Sequence, residues 1–193
     1  MEMTSPAEMI AHEGFRPLKR IEYERLGAEG FFDEERVELL FGVVVAMAPI
    51  DPPHAESTDD VRRVLERVLG DRARVMTQRP FAASEISEPQ PDVFVVPTGV
   101  YRKEHPTRAH LIVEVAQSSL SRDRGPKATL YGMSEVDEYW IVNLLKNVVE
   151  VFRGPHAGTW REKLTFRPGG VIAMAAFPDV EIAVSDLLPP LEA

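Results

Sequence analysis

Three residues between Pro91 and Lys127 have the types and surroundings to do chemistry. Asp92 opens the apolar run Val93-Phe94-Val95-Val96, and Glu114 lies inside Leu111-Ile112-Val113-Glu114-Val115-Ala116. A carboxylate in an apolar strand is costly unless it is paired or holds a cation. Two such acids on neighbouring strands can share one hard ion, and carboxylate oxygens suit Mg²⁺ or Mn²⁺. Lys127 follows, with Asp123 four residues before it and Tyr131 four after, so a helix presents all three on one face. That face is expected to look toward the acid-bearing strands.

Each of these residues also has a plainer reading. Asp92 serves equally as a strand start after Pro91, and Glu114 as half of a salt bridge on a solvated sheet face. Lys127 can pair with Asp123 one helical turn away, and Asp123 reads as a helix cap as well as a ligand. Glu38, in Val37-Glu38-Leu39-Leu40, is either a further acid near the site or a surface residue. His54, after Pro52-Pro53, and Gln78, at the end of a strand-like run, are candidate supporting residues, as are Asp123 and Tyr131. His12, His105, His110 and His156 show no metal-ligand spacing.

Other chemistries are excluded by what the chain lacks. With no cysteine there is no disulfide, thiolate zinc site or cysteine nucleophile. Ser118, Ser119 and Ser121 stand outside any Gly-x-Ser-x-Gly elbow, and no Walker or Rossmann glycine pattern occurs. No apolar run approaches the roughly 18 residues of a membrane span, and Met1–Gly14 lacks a signal-peptide pattern, so a cytoplasmic address is expected. The net charge of −9 argues against a broad basic surface for nucleic acid, though not against a local groove.

The elements that must position these residues follow from periodicity and breakers. At 193 residues the chain reads as one domain over residues 18–193, preceded by a polar, poorly ordered lead-in over 1–17. A short helix over Ile21–Glu29 ends at Gly30. Arg36–Leu40 and Val43–Met47 flank Phe41-Gly42 as a β-hairpin. Val61, Val64, Leu65, Val68 and Leu69 fall at helical spacing in a helix that starts at His54 or Ser57 and stops at Gly70. Arg74–Gln78 is a strand that Pro80–Ala83 can extend past a kink. Because proline lacks an N–H, Pro126 belongs in a first turn, which puts a helix start near Asp123 and its end near Met133. Glu138–Val142 and Val148–Phe152 form a second hairpin. Thr159–Phe166, Val171–Met174 and Val180–Ala183 are weaker strands, and Asp186 starts a last turn. The class is α/β (α+β), a mixed sheet with a few helices. The apolar run Val148–Phe152 suggests an exposed edge and a homodimer.

As a set, these pieces resemble the Uma2 family within the PD-(D/E)XK nuclease superfamily. The resemblance runs from about Leu18 to Arg153. It is carried by Val37-Glu38-Leu39-Leu40-x-Gly42, Met47-x-Pro49, His54, Pro91-Asp92, Val113-Glu114-Val115, Ser118-Ser119, Asp123-Arg124-Gly125, Lys127, Tyr131, Glu138–Val142 and Val149–Val151. It implies a restriction-endonuclease-like core, a central mixed β-sheet flanked by helices with an N-terminal β-hairpin. Asp92 and Glu114 would be the ligands of Mg²⁺ (or Mn²⁺), Lys127 the lysine that assists the attacking water, and Glu38 an acid beside the metal. Superfamily members hold their lysine two residues after the acid, where this chain has Ala116, so the lysine comes from the next helix. Pro126 inside the Asp-to-Lys segment departs from the family pattern.

The implied activity is metal-dependent endonuclease hydrolysis of phosphodiester bonds, with DNA as partner. The alternative is a nuclease fold that binds without cutting, to which the charge of −9 points.

Overall fold

The protein is described here by a computed structural model over residues 14–189. The expected lead-in therefore lies, up to residue 13, outside the described residues. From residue 20 the chain forms α1 (Arg20–Ala28), the hairpin β1 (Val37–Leu40) and β2 (Val43–Ala46), then α2 (Pro52–Leu69). The strands β3 (Arg74–Thr77), β4 (Val93–Val96), β5 (Arg108–Ala109) and β6 (Leu111–Ala116) come next. A helical turn α3 (Leu120–Arg122), a wide π-type turn over Asp123–Lys127 and α4 (Ala128–Met133) lead to β7 (Glu135–Val136), β8 (Glu138–Asn143), β9 (Val148–His156) and β10 (Thr159–Phe166). A small hairpin, β11 (Val171–Ala173) with β12 (Glu181–Ala183), follows, and a 3-10 turn over Val184–Asp186 comes after it, ending at Asp186 where the sequence suggested a turn would start. Among the described helices none is long and apolar enough to cross a membrane.

The centre is a six-stranded mixed sheet in the order β10-β9-β8-β6-β4-β3. Within this sheet only the β6–β8 pair is parallel, and the α3–α4 segment is the crossover that parallel neighbours require; β5 and β7 form a separate parallel pair. Both faces of the sheet are covered, so β4, β6 and β8 read as near-continuous apolar runs. One face carries Val93, Val95, Val113, Val115, Trp140, Val142, Val149 and Val151. It packs on Val61, Val64, Leu65 and Leu69 of α2, at about 1.5–3 kcal/mol for each fully buried aliphatic side chain. The other face carries Phe94, Ile112, Tyr139, Ile141 and Phe152 and packs on Ala128 and Tyr131.

Four local expectations are corrected. First, α2 starts at Pro52 rather than His54, because two prolines are tolerated where N–H groups are orphaned and Asp51 Oδ1 caps the His54 N–H at 2.9 Å. Second, β3 ends at Thr77: Gln78 takes φ 47°, and Pro80–Ala83 continues without strand pairing. Third, the helical stretch begins at Leu120, before Pro126 rather than just ahead of it. Gly125 leaves the helical path (φ −100°, ψ −105°), so the pyrrolidine ring meets a kink instead of a continuous preceding turn. Asp123 is consequently helical (φ −69°, ψ −40°) and is no N-cap. Fourth, Val148–Phe152 is no edge, since β9 lies between β8 and β10; its apolar run is core and offers no argument for self-association.

The N-terminal hairpin is a separate two-stranded sheet, held by a third apolar cluster of Tyr23, Val37 and Leu39. The Tyr23 hydroxyl donates to the Val37 carbonyl at 2.9 Å, and Leu39 exchanges backbone hydrogen bonds with Glu88. These contacts set where Glu38 stands.

Candidate active site

The acids meet because of strand register. In the antiparallel β4–β6 pair Val93 faces Val113, so one step further along the same register Asp92 faces Glu114. Asp92 stands where the strand pairing ends, and its Oδ2 takes over the next hydrogen bond, accepting the Val115 N–H at 2.8 Å. His54 Nε2, from the first turn of α2, lies 3.2 Å from the same oxygen. Both contacts fall on Oδ2; among the described residues Oδ1 accepts none.

Glu114 points to the sheet face covered by the α3–α4 segment, the face that also carries Ile112 and Ala116. It is 3% exposed. Its Oε1 accepts from Lys127 Nζ at 3.0 Å and from the Tyr131 hydroxyl at 2.7 Å. Among the described residues its Oε2 accepts no hydrogen bond. Lys127 Nζ also reaches Glu38 Oε2 at 3.2 Å, so one buried ammonium bridges the hairpin acid and the strand acid. Lys127 thus pairs with Glu38 and Glu114, not with Asp123. The Asp123 carboxylate instead accepts the Ser119 hydroxyl at 2.6 Å, and its backbone carbonyl accepts the Tyr139 hydroxyl at 3.2 Å.

Four carboxylates around one lysine leave the site short of positive charge. Burial raises the Glu114 pKa well above the carboxylate range; Lys127 pulls it back, and Asp92, Asp123 and Glu38 push it further up. Burial likewise carries Asp123 up to about 6 against the pull of Lys127. For Lys127, burial works against the charge but Glu114, Glu38, Asp123 and Asp92 outweigh it, and the ammonium stays protonated. Hydrogen bonding to Asp92 raises the His54 pKa against the opposing effect of burial. Glu38 Oε1 is buried without a hydrogen-bond partner among the described residues, with Arg122 at 3.8 Å. An all-oxygen donor set with surplus negative charge and uncommitted oxygens on two facing acids fits a hard divalent cation.

The residues line one cleft of about 130 Å³, room for several waters. Glu38, His54, Asp92, Glu114, Asp123 and Lys127 all border it. Tyr131 lies fully buried beneath, holding Glu114. Gln78 stays outside; its contribution is a backbone N–H that approaches the Pro91 and Asp92 carbonyls at 3.0 and 3.2 Å. Sequence reasoning missed Arg36, Gln90 and Arg122, which line the cleft from loop positions and from α3. Gln90 donates its N–H to Glu38 Oε2 at 3.3 Å, and Arg122 donates to the Ala46 carbonyl of the hairpin at 3.1 Å. No periodicity marks these three, because their place depends on how the hairpin docks.

Comparison with known proteins bears on the fold and the family. No curated protein matches the chain. Among solved structures, a crystal structure from Anabaena variabilis described as a "putative nuclease belonging to DUF820" shares the fold with a TM-score of 0.70 at 17% identity, over 89% of this chain and 97% of that one. The Uma2 family model, described as "Putative restriction endonuclease", matches residues 20–185, and the chain belongs to that family.

Proposed function

We propose that the protein is a divalent-metal-dependent endonuclease that hydrolyses phosphodiester bonds of DNA, with Asp92 and Glu114 as the metal ligands. One observation carries the reading: two carboxylates face each other across β4 and β6, each with one oxygen uncommitted, beside a buried charged lysine. A bound Mg²⁺ or Mn²⁺ supplies Lewis acidity to the phosphate and lowers the pKa of a water. The remaining roles belong to side chains of this chain. The Val115 N–H and His54 hold Asp92 at the cleft, and Tyr131 holds Glu114. Lys127, kept protonated by its acidic neighbours, acts as a donor and positive charge rather than as a base. It orients the attacking water and stabilises charge developing on the phosphate oxygens. Glu38 anchors that ammonium from the hairpin side.

Nicking of supercoiled plasmid with Mn²⁺ tests the reading. Wild-type protein is expected to nick, whereas Asp92→Asn and Glu114→Gln, shown folded by circular dichroism, are expected to lose the activity. Wild-type rates from either variant overturn the assignment. No nicking by wild-type protein, together with no calorimetric heat from millimolar Mn²⁺, favours a binding module that does not cut.

A further inference from the structure

A second constellation lies on the far side of the hairpin. Glu24 of α1, Glu88 of the segment paired to β1 and His105 of the loop before β5 each offer a ligand atom, all within 4.8 Å of one another. Among the described residues this is the one group of three such side chains drawn so close; the acids of the catalytic cleft are spread wider around Lys127. We propose that Glu24, Glu88 and His105 form a second divalent-cation site, selective for a borderline ion of the Zn²⁺ type, that braces the hairpin carrying Glu38.

The independent sign of a ligand is Glu88. Its side chain is 4% exposed, and its Oε2 is buried with no hydrogen-bond partner among the described residues. A buried carboxylate oxygen left unpaired is expensive, so something positive belongs beside it. Arg20 supplies only part of that charge. Its guanidinium bonds Glu24 Oε1 at 2.5 Å and reaches Glu88 Oε2 only at 3.8 Å, leaving one cation for two carboxylates. Burial first, then the adjacent Glu24, raises the pKa of Glu88 to about 8 against the opposing charge of Arg20, as expected for an acid short of a counter-ion. One imidazole with two carboxylates differs in kind from the all-oxygen catalytic set, and mixed nitrogen and oxygen ligands favour Zn²⁺ over Mg²⁺.

Access and consequence are both visible. All three residues line a cavity of about 420 Å³ that opens to solvent, so an ion has a way in. Arg36 and Gln90 line this cavity and the catalytic cleft alike, so they form a shared wall. Glu88 pairs through its backbone with Leu39, the residue next to Glu38, so an ion there ties α1, the hairpin and the 97–107 loop together.

Zn²⁺ titration of full-length protein carrying Asp92→Asn and Glu114→Gln removes the catalytic ligands and tests this site alone. One Zn²⁺ is expected to bind and to raise the melting temperature. Adding His105→Ala, an exposed position that leaves the core intact, is expected to weaken binding at least about tenfold and abolish the thermal shift. Co²⁺ substitution adds a spectroscopic readout, since visible absorption bands should lose intensity in the His105→Ala protein. Zn²⁺ binding that is absent, or unchanged by both His105→Ala and Glu88→Gln, overturns the proposal and leaves Glu24 and Glu88 sharing a proton.

Discussion

At the scale of single residues, the site depends on Lys127 compensating acids that are themselves buried. Lys127→Met keeps the volume of the stem and removes the charge, leaving Glu38 and Glu114 facing each other uncompensated. Breaking a buried pair in this way costs about 3–5 kcal/mol, so urea denaturation of Lys127→Met should show a loss of that order along with loss of cleavage. Tyr131→Phe is gentler. It removes one of the two donors to Glu114 Oε1 and should lower metal affinity and cleavage about 10–100-fold with the fold retained. Glu88 sets a pH effect of definite sign. Its pKa rises from 4.5 in the unfolded chain to about 8 in the native one, so the native state holds an extra proton between those values. Stability should therefore fall as pH rises from about 4.5 to about 8, and in EDTA the wild-type melting temperature should drop more over that range than that of Glu88→Gln. Equal slopes for the two proteins would contradict the burial argument.

At the scale of elements, the hairpin brings Glu38 to the site from a sheet of its own, and Gly42 forms its turn. Gly42 takes φ +79°, and a Cβ there would lie 2.3 Å from Pro17 Cβ and 2.7 Å from its Cα. Gly42→Ala must therefore shift either the turn or the Pro17-Leu18 entry, whose Leu18 N–H bonds the Gly42 carbonyl at 3.0 Å. Left-handed backbone costs an L-residue about 1–2 kcal/mol before any clash is counted. We expect at least that loss of stability by thermal melting, and slower cleavage because Glu38 retreats from Lys127. The hairpin also marks the limit of what the sequence discloses. Glu114 was legible because a carboxylate inside an apolar strand demands a partner, and Lys127 and Tyr131 because a four-residue spacing shares a helix face. Glu38 was ambiguous, since Val-Glu-Leu-Leu on a hairpin looks the same whether its acid faces solvent or a cleft; only docking by Tyr23, Glu88 and Gln90 decides. The start of the helical stretch was misread because Pro126 argues for a first turn only where the preceding residue is helical, and Gly125 is not. Glu24, Glu88 and His105 have no common spacing, so their meeting is a product of tertiary structure alone.

At the scale of the whole molecule, charge decides how a polyanion can be held. The chain carries 31 acidic against 22 basic residues, and many of the arginines are already committed. Arg62, Arg63, Arg67 and Arg72, on and just after α2, each lie against one or more carboxylates, and Arg124 is paired with Glu150. The cleft itself offers Arg36 and Arg122 at its rim against Glu38, Asp92, Glu114 and Asp123 inside. A phosphate approaching without a cation meets more negative charge than positive, so under the proposed function binding is expected to depend on the divalent ion rather than on a basic surface. Binding through phosphates loses affinity with salt in proportion to the number of contacts, with a slope of about −0.9 per phosphate in a log–log plot. With two rim arginines, the slope measured with Ca²⁺ as the divalent ion should be shallow, about −2. In EDTA, binding to a short duplex should be lost at the same protein concentration. Arg36→Ala combined with Arg122→Ala should flatten the slope further while Asp92→Asn removes the Ca²⁺ dependence. A steep slope that persists in EDTA would instead require a basic face elsewhere on the molecule, such as Arg161 and Lys163 of the edge strand β10 with Arg167 just after it.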